Sequence, residues 1–124
     1  MSDHAMIYVK SKGGLASVAE RLRPFLPSPL LASKYGGWDF MVGDTLCMLH
    51  EPPENPDWQL PSAAGYDAEI LLDEPGGPDS VARMLAAGRF LFDGLAKARV
   101  GDLLLIGTGE EILAESHAAK ASAA

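Results

Sequence analysis

The stretch from Tyr66 to Ser116 constrains the fold most, because the spacing of its apolar residues changes twice. Residues 66–73 alternate apolar and acidic side chains, which predicts a strand with one wet face, and the one exception, Leu71, predicts partial cover of that second face. Residues 74–78 (EPGGP) interrupt that strand, and apolar residues three and four positions apart then predict an amphipathic helix. The predicted buried side of this helix consists of Val81, Met84, Leu85, Gly88, Leu91, Phe92 and Leu95. Two short strands, at 103–106 and 112–114, are predicted to follow.

The same stretch makes two finer predictions. The alternation places Tyr66 on the apolar face of its strand, together with Ala68, and Glu69 on the wet face. Asp79 or Ser80 is predicted to cap the helix, because a side-chain oxygen there accepts hydrogen bonds from the free N–H groups of the first turn.

A weaker copy of this order precedes it. His4–Lys10 alternates as a strand, an amphipathic segment starting at Leu15 is stopped by Pro24, and strands at 35–42 and 45–50 are joined by a tight turn at Gly43. The sequence therefore predicts an α+β fold, in which two β-α-β-β units form a mostly antiparallel sheet with two helices packed on one face. A chain of 124 residues is expected to form a single domain, with its core at about residues 4–115 and a loose tail at 116–124.

Composition excludes several classes of function. The formal charge of −7 argues against nucleic-acid binding, since phosphates require clustered Lys and Arg. No apolar run has the length of a membrane span, and the N-terminus lacks the basic-then-apolar order of a secretory signal. The single cysteine, Cys47, lies in an apolar strand and is interpreted as a core residue rather than a nucleophile. These features predict a cytoplasmic protein that does not act on membranes.

No ligand spacing or catalytic motif points to a metal, a cofactor or an enzyme. One alternative stays open, because the doubled β-α-β-β order resembles that of the vicinal oxygen chelate (glyoxalase-like) proteins. That resemblance implies a metal-dependent enzyme or small-ligand binder. Its ligands would be His4 with His50 or Glu51, and Glu69 or Glu111 from the second half.

Two misplaced aromatic residues suggest a binding surface. Trp58 lies in a proline-rich loop at 51–65, beside Glu51, Glu54 and Asp57, and this loop either binds a partner or folds back as a lid. Phe90 lies on the side of the second helix opposite Phe92. We predict that Glu51, Glu54, Asp57, Trp58 and Phe90 contact a protein partner.

The segment Tyr35-Gly36-Gly37-Trp38-Asp39-Phe40, the acidic proline-rich loop and the closing strand-helix-strand form a pattern in this short acidic chain. In these features it resembles the small single-domain immunity proteins of bacterial polymorphic toxin systems. The resemblance implies a non-catalytic protein that binds and blocks a toxin, and a basic toxin domain would suit the acidic charge of this chain. A third hypothesis is a structural homodimer subunit, joined through an edge strand or the Phe90 face, so the chain is expected to be a monomer or a homodimer.

Overall fold

The computed structural model of the chain describes residues 4–11, 13–34, 36–52 and 65–117. These residues form seven strands and two helices: β1 His4–Lys10, α1 Gly14–Leu22, β2 Leu31–Ala32, β3 Trp38–Val42, β4 Thr45–His50, β5 Ala68–Asp73, α2 Ser80–Lys97, β6 Asp102–Ile106 and β7 Ile112–Ser116. β1 and β4 begin and end at the residues predicted from the sequence.

The strands form one antiparallel sheet in the order β2-β3-β4-β5-β1-β6-β7. Both helices pack on one face of this sheet, where α2 contacts β1, β4, β5 and β6, and α1 contacts β4, β5 and α2. The α+β prediction, with two helices on one face of an antiparallel sheet, is confirmed.

Strand alternation decides which side chains meet the helices. In β1 the fully buried Ala5, Ile7 and Val9 join the main core, in which α1 and α2 also take part. The strand side chains on this face are Ala5, Ile7, Val9, Trp38, Phe40, Val42, Cys47, Leu49, Ala68, Ile70, Leu72, Leu103, Leu105 and Ala114. The intervening residues point to the opposite side, which we call the helix-free face because neither described helix packs on it.

The two β-α-β-β units are arranged differently in the sheet. After α2, the first strand of the hairpin, β6, lies next to β1 near the centre. After α1, the inner position belongs to the second long strand, β4, which pairs with β5, while β3 lies further out. The doubled element order is therefore present, but the halves are not superimposable copies.

The region before β3 departs from the sequence prediction. The strand expected from Tyr35 begins only at Trp38, and the short β2 was not predicted. Gly36 and Gly37 have positive φ angles of 88° and 80°, which end the extended conformation expected there. A Cβ on Gly37 would lie 2.0 Å from the Leu49 carbonyl oxygen, so the backbones approach as closely as only glycine permits. Tyr35 itself lies outside the described residues.

Three details around β5 and α2 correct the predictions. The strand starts at Ala68, after a glycine at residue 65 with positive φ, so Tyr66 is not part of the strand. Its ring packs against Tyr8 on the helix-free face instead of the predicted apolar face. Glu69 is not wet but only 5% exposed. Neither predicted cap forms, because Asp79 is left-handed and makes no side-chain cap bond, while the Ser80 hydroxyl donates to the Glu74 carboxylate.

The buried side of α2 largely follows the prediction. Met84, Leu91 and Leu95 are fully buried and Phe92 is 5% exposed, whereas Val81 and Leu85 are only half-buried. Among the described residues, neither helix is both long and apolar enough to cross a membrane.

Candidate protein-binding face

Apolar side chains occupy the helix-free face of four adjacent strands. Met48 of β4 lies opposite Leu71 of β5, which in turn lies opposite Met6 of β1, and all three are half-buried. On the neighbouring β3-β4 hairpin, Met41 and Leu46 lie opposite each other and are 38% and 37% exposed. We call these five residues the methionine patch. Methionine is unbranched and polarisable, so it adapts to irregular partner surfaces.

Acidic residues border the methionine patch. Asp39 lies opposite Met48 on β3, and Asp73 follows Leu71 two positions along β5. Glu51 directly follows the end of β4 and is exposed. An apolar centre with a polar, charged rim is the usual anatomy of a protein–protein interface.

A row of polar side chains runs along one side of the patch. Glu69 of β5 lies opposite both His50 of β4 and Tyr8 of β1. The His50 Nε2 is 3.4 Å from the Glu69 Oε1, and the Tyr8 hydroxyl, beside Glu69 on the neighbouring strand, donates a hydrogen bond to the Met6 sulfur at 3.4 Å. Burial raises the pKa of Glu69 above its ordinary value, although the nearby His50 and, after it, Tyr8 oppose this. Burial, followed by the nearby Glu69 charge, also raises the pKa of Tyr8, so the phenol stays protonated.

Both ring nitrogens of His50 are engaged. Its Nδ1 lies 2.8 Å from the Glu51 carbonyl oxygen, which can only accept, so Nδ1 carries a proton. The other nitrogen faces Glu69, and this contact is favourable only when a proton lies between the two groups. The imidazole therefore has no free nitrogen with which to act as a general base on a bound molecule.

A cleft of about 570 Å³ opens beside the patch at the end of β4. The residues that line it come from α1, the loop before β3, β3 and the end of β4: Leu15, Ser33, Gly36, Gly37, Asp39, Met48, Leu49, His50 and Glu51. This volume lies within the range of about 300–1,000 Å³ that is typical of ligand pockets. The cleft extends the patch rather than forming a separate enclosed site.

The structure separates the residues predicted to bind a partner. Glu51 lies at the cleft, whereas Phe90 is 44% exposed on the opposite, helical side of the molecule. The Phe90 ring stacks edge-to-face on Phe25, with centroids 5.9 Å apart, so it has an intramolecular partner. Glu54, Asp57 and Trp58 lie outside the described residues, and their predicted role stays a prediction.

The residues nominated for a chelate site are only partly brought together. His50 and Glu69 are side by side, but His4 contacts Asp73, with Nδ1 and Oδ1 2.9 Å apart. Across the described ranges, no three His, Cys, Asp or Glu side chains form a group that could hold a metal ion. Cys47 is fully buried, and burial raises the pKa of its thiol to about 12, as expected of an unreactive core cysteine.

Sequence analysis missed the face itself. The alternation in β1 and β4 already placed Met6 with Tyr8 and Met48 with His50, but not which strands are neighbours. Comparison of the chain with known protein families, with curated proteins and with solved structures gave no match.

Proposed function

We propose that this chain is a non-catalytic, cytoplasmic binding protein that docks a basic protein surface on its helix-free face and, as an immunity-type inhibitor, blocks a bacterial toxin. The observation that carries the proposal is the methionine patch with its acidic border. Met41 and Leu46 are large apolar side chains that the fold leaves more than one-third exposed, directly beside half-buried Met48.

The charge of the molecule supports a basic partner. The chain carries a formal charge of −7, and the patch is bordered by Asp39, Glu51 and Asp73. A negative surface speeds encounter with a positive one, and the gain in association rate falls as salt is added. A toxin that acts on nucleic acid presents such a basic surface, because it has to bind phosphates.

The geometry favours protein binding over catalysis. The patch spreads over four strands instead of closing around a small molecule, and both nitrogens of His50 are occupied within the chain. Burying an adaptable apolar centre inside a polar rim is how a protein interface gains most of its affinity. An inhibitor needs no further chemistry, since covering the toxin surface suffices.

The proposal is tested by expressing the reading frame next to this gene in a bacterial host, with and without the chain. We expect the neighbouring product to arrest growth and the wild-type chain to restore it. In the double variant Met41→Lys/Leu46→Lys, two positive charges enter the patch, and we expect affinity for the toxin to fall at least about tenfold, or about 1.4 kcal/mol. Ala86→Lys, which adds charge at an exposed position of α2, is the matched control and should still protect.

Three outcomes would contradict the proposal. The first is a neighbouring product that is not toxic or does not bind the chain. The second is full protection by the double patch variant with unchanged affinity. The third is a wild-type homodimer that the patch variant splits into monomers, which would make this face the subunit interface of the homodimer hypothesis.

A further inference from the structure

The cleft at the end of β4 combines an apolar surface with negative charge. Leu15 of α1 and Met48 of the methionine patch supply apolar side chains to its lining. Asp39 and Glu51 supply carboxylates, and no lysine or arginine is among the described residues that line it. A group bound there therefore meets an apolar wall and acidic oxygens in the same cavity.

Two glycines keep part of the cleft free of side chains. Gly36 and Gly37 line it, and both have positive φ angles in the loop before β3. A Cβ on Gly37 would collide with the Leu49 carbonyl, whereas a Cβ on Gly36 would meet nothing within 4 Å. The loop thus approaches β4 closely through Gly37 and leaves open space beside Gly36.

The two carboxylates of the cleft have no counter-ion within the described ranges of the chain. The ion pairs found there involve other residues than Asp39 and Glu51. Asp39 is half-buried and lies opposite Met48 on the neighbouring strand, so water reaches its carboxylate from one side only. A partly buried carboxylate beside an apolar side chain gains most from a cation that comes from another molecule.

The other charged or titratable groups nearby do not supply that cation. Lys34 follows Ser33 in the chain but does not line the cleft. His50 does line it, yet its two ring nitrogens already face the Glu51 carbonyl oxygen and Glu69. The cleft thus keeps its negative charge.

We propose that this cleft receives an arginine side chain of the docked basic protein. The aliphatic part of the arginine packs on Leu15 and Met48, and its guanidinium donates hydrogen bonds to the carboxylates of Asp39 and Glu51. The inference rests on the proposed function and names the chemical group that the face recognises in its partner.

Arginine suits this combination of surfaces better than other groups do. Its stem is apolar, and its planar head carries five N–H donors and is weakly hydrated, so it enters a partly apolar cleft at low cost. A phosphate would be repelled by both carboxylates, and a wholly apolar side chain would leave them without compensation. Arginine is also enriched among the interface residues that contribute most to affinity.

The probe is the capped peptide Leu-Ala-Arg-Ala-Leu, and its matched form carries citrulline, which has nearly the shape of arginine but no charge. Each peptide is titrated into the isotope-labelled wild-type protein, and backbone NMR shifts give both the Kd and the site. We expect the arginine peptide to shift the amides of the cleft. The citrulline peptide should bind at least about fivefold more weakly, because the charge-assisted hydrogen bonds are lost.

A pair of variants tests whether the cleft itself recognises the charge. Asp39→Asn keeps the size of the side chain and should weaken binding of the arginine peptide at least about fivefold, with the Kd of the citrulline peptide unchanged. Asp93→Asn makes the same chemical change at an exposed position of α2, where Asp93 pairs with Arg89, and should alter the Kd less than about twofold. The NMR spectrum of each variant verifies its fold, and the comparison of the two peptides on the wild type depends on no variant.

Three results would overturn the inference. Equal Kd values for the two peptides would show that the positive charge is not recognised. Equal losses for Asp39→Asn and Asp93→Asn would show that the overall charge of the chain, and not the cleft, attracts the peptide. Shifts that avoid the cleft would place the arginine elsewhere. Each of these leaves the docking proposal to its own test, the toxin protection given by Met41→Lys/Leu46→Lys. Full protection by that variant, together with arginine-specific shifts at the cleft, would instead overturn docking on the methionine patch and keep the cleft as an arginine site.

Discussion

The two phenylalanines of α2, Phe90 and Phe92, offer a matched test of the helix phase. Phe92 is 5% exposed in the main core, and the Arg89 guanidinium lies 5.5 Å from the centre of its ring. Phe90 is 44% exposed and contacts Phe25 edge-to-face. Both sites have the same residue type in the same helix, so a comparison cancels differences in helix propensity.

The magnitudes follow from burial. Truncating a buried phenylalanine to alanine costs about 3–5 kcal/mol, which we expect for Phe92→Ala. Phe90 is about half covered, which makes its burial worth about 1 kcal/mol, and its aromatic pair adds about 0.5–1.5 kcal/mol. We therefore expect Phe90→Ala to lower the free energy of unfolding by about 1.5–2.5 kcal/mol, clearly less than Phe92→Ala.

The assay is urea unfolding followed by far-UV circular dichroism, with the variant Phe25→Ala and the double variant Phe25→Ala/Phe90→Ala included. The double-mutant cycle should show a coupling energy of about 0.5–1.5 kcal/mol between the two rings. Equal losses for Phe90→Ala and Phe92→Ala would refute the assigned orientation of α2. Absence of coupling between Phe25 and Phe90 would refute their direct contact.

Three further predictions concern single sites. Cys47 should resist thiol reagents in the native protein and react only at the rate of unfolding, since burial raises its pKa to about 12; rapid reaction without denaturant would contradict the buried position. Glu69→Gln should raise the melting temperature at pH 7 more than at pH 4. Because burial raises the pKa of Glu69 in the folded state, its protonated form stabilises the fold at pH values below the unfolded-state pKa, and this stabilisation is lost as the pH rises through the folded-state pKa. Glutamine stays neutral and does not lose it. A melting-temperature difference that does not grow with pH would contradict this sign. Gly37→Ala should cost more than about 2 kcal/mol in urea unfolding, because its Cβ would meet the Leu49 carbonyl at a positive φ; Gly43→Ala, which also has positive φ but an open surrounding, is the milder control.

Local periodicity was sufficient to predict most elements of the fold. β1 is a short apolar run bounded by His4 and Lys10, which favours a strand, and the buried side of α2 repeats at three and four positions, which favours a helix. The prediction failed where the backbone leaves the regular conformation. Gly36 and Gly37 take positive φ angles before β3, and the non-strand backbone before Ala68 turns Tyr66 to the other face.

The candidate site could not be predicted in the same way, because strand pairing is non-local. Glu69 alternates with apolar residues and so resembles a wet position, yet β5 lies between β4 and β1. That order brings His50 and Tyr8 to its two sides and buries it. Only the strand order, which local patterns do not encode, places three polar residues that are distant in the sequence in one continuous row.

The exposed apolar side chains of the helix-free face are not explained by the packing of helices on the sheet. A two-layer α+β protein needs apolar side chains only on the sheet face that its helices cover, and the other face of an antiparallel sheet is commonly polar. Met41 and Leu46 lie outside the main core, so polar residues there would leave its packing intact. Burial in the main core therefore does not account for their apolar character, whereas the proposed partner would cover them. Stability and binding should then separate at these positions: Met41→Lys/Leu46→Lys should change the free energy of unfolding by less than about 1 kcal/mol while abolishing protection against the toxin. A large loss of stability with protection retained would instead show that the patch serves the fold itself.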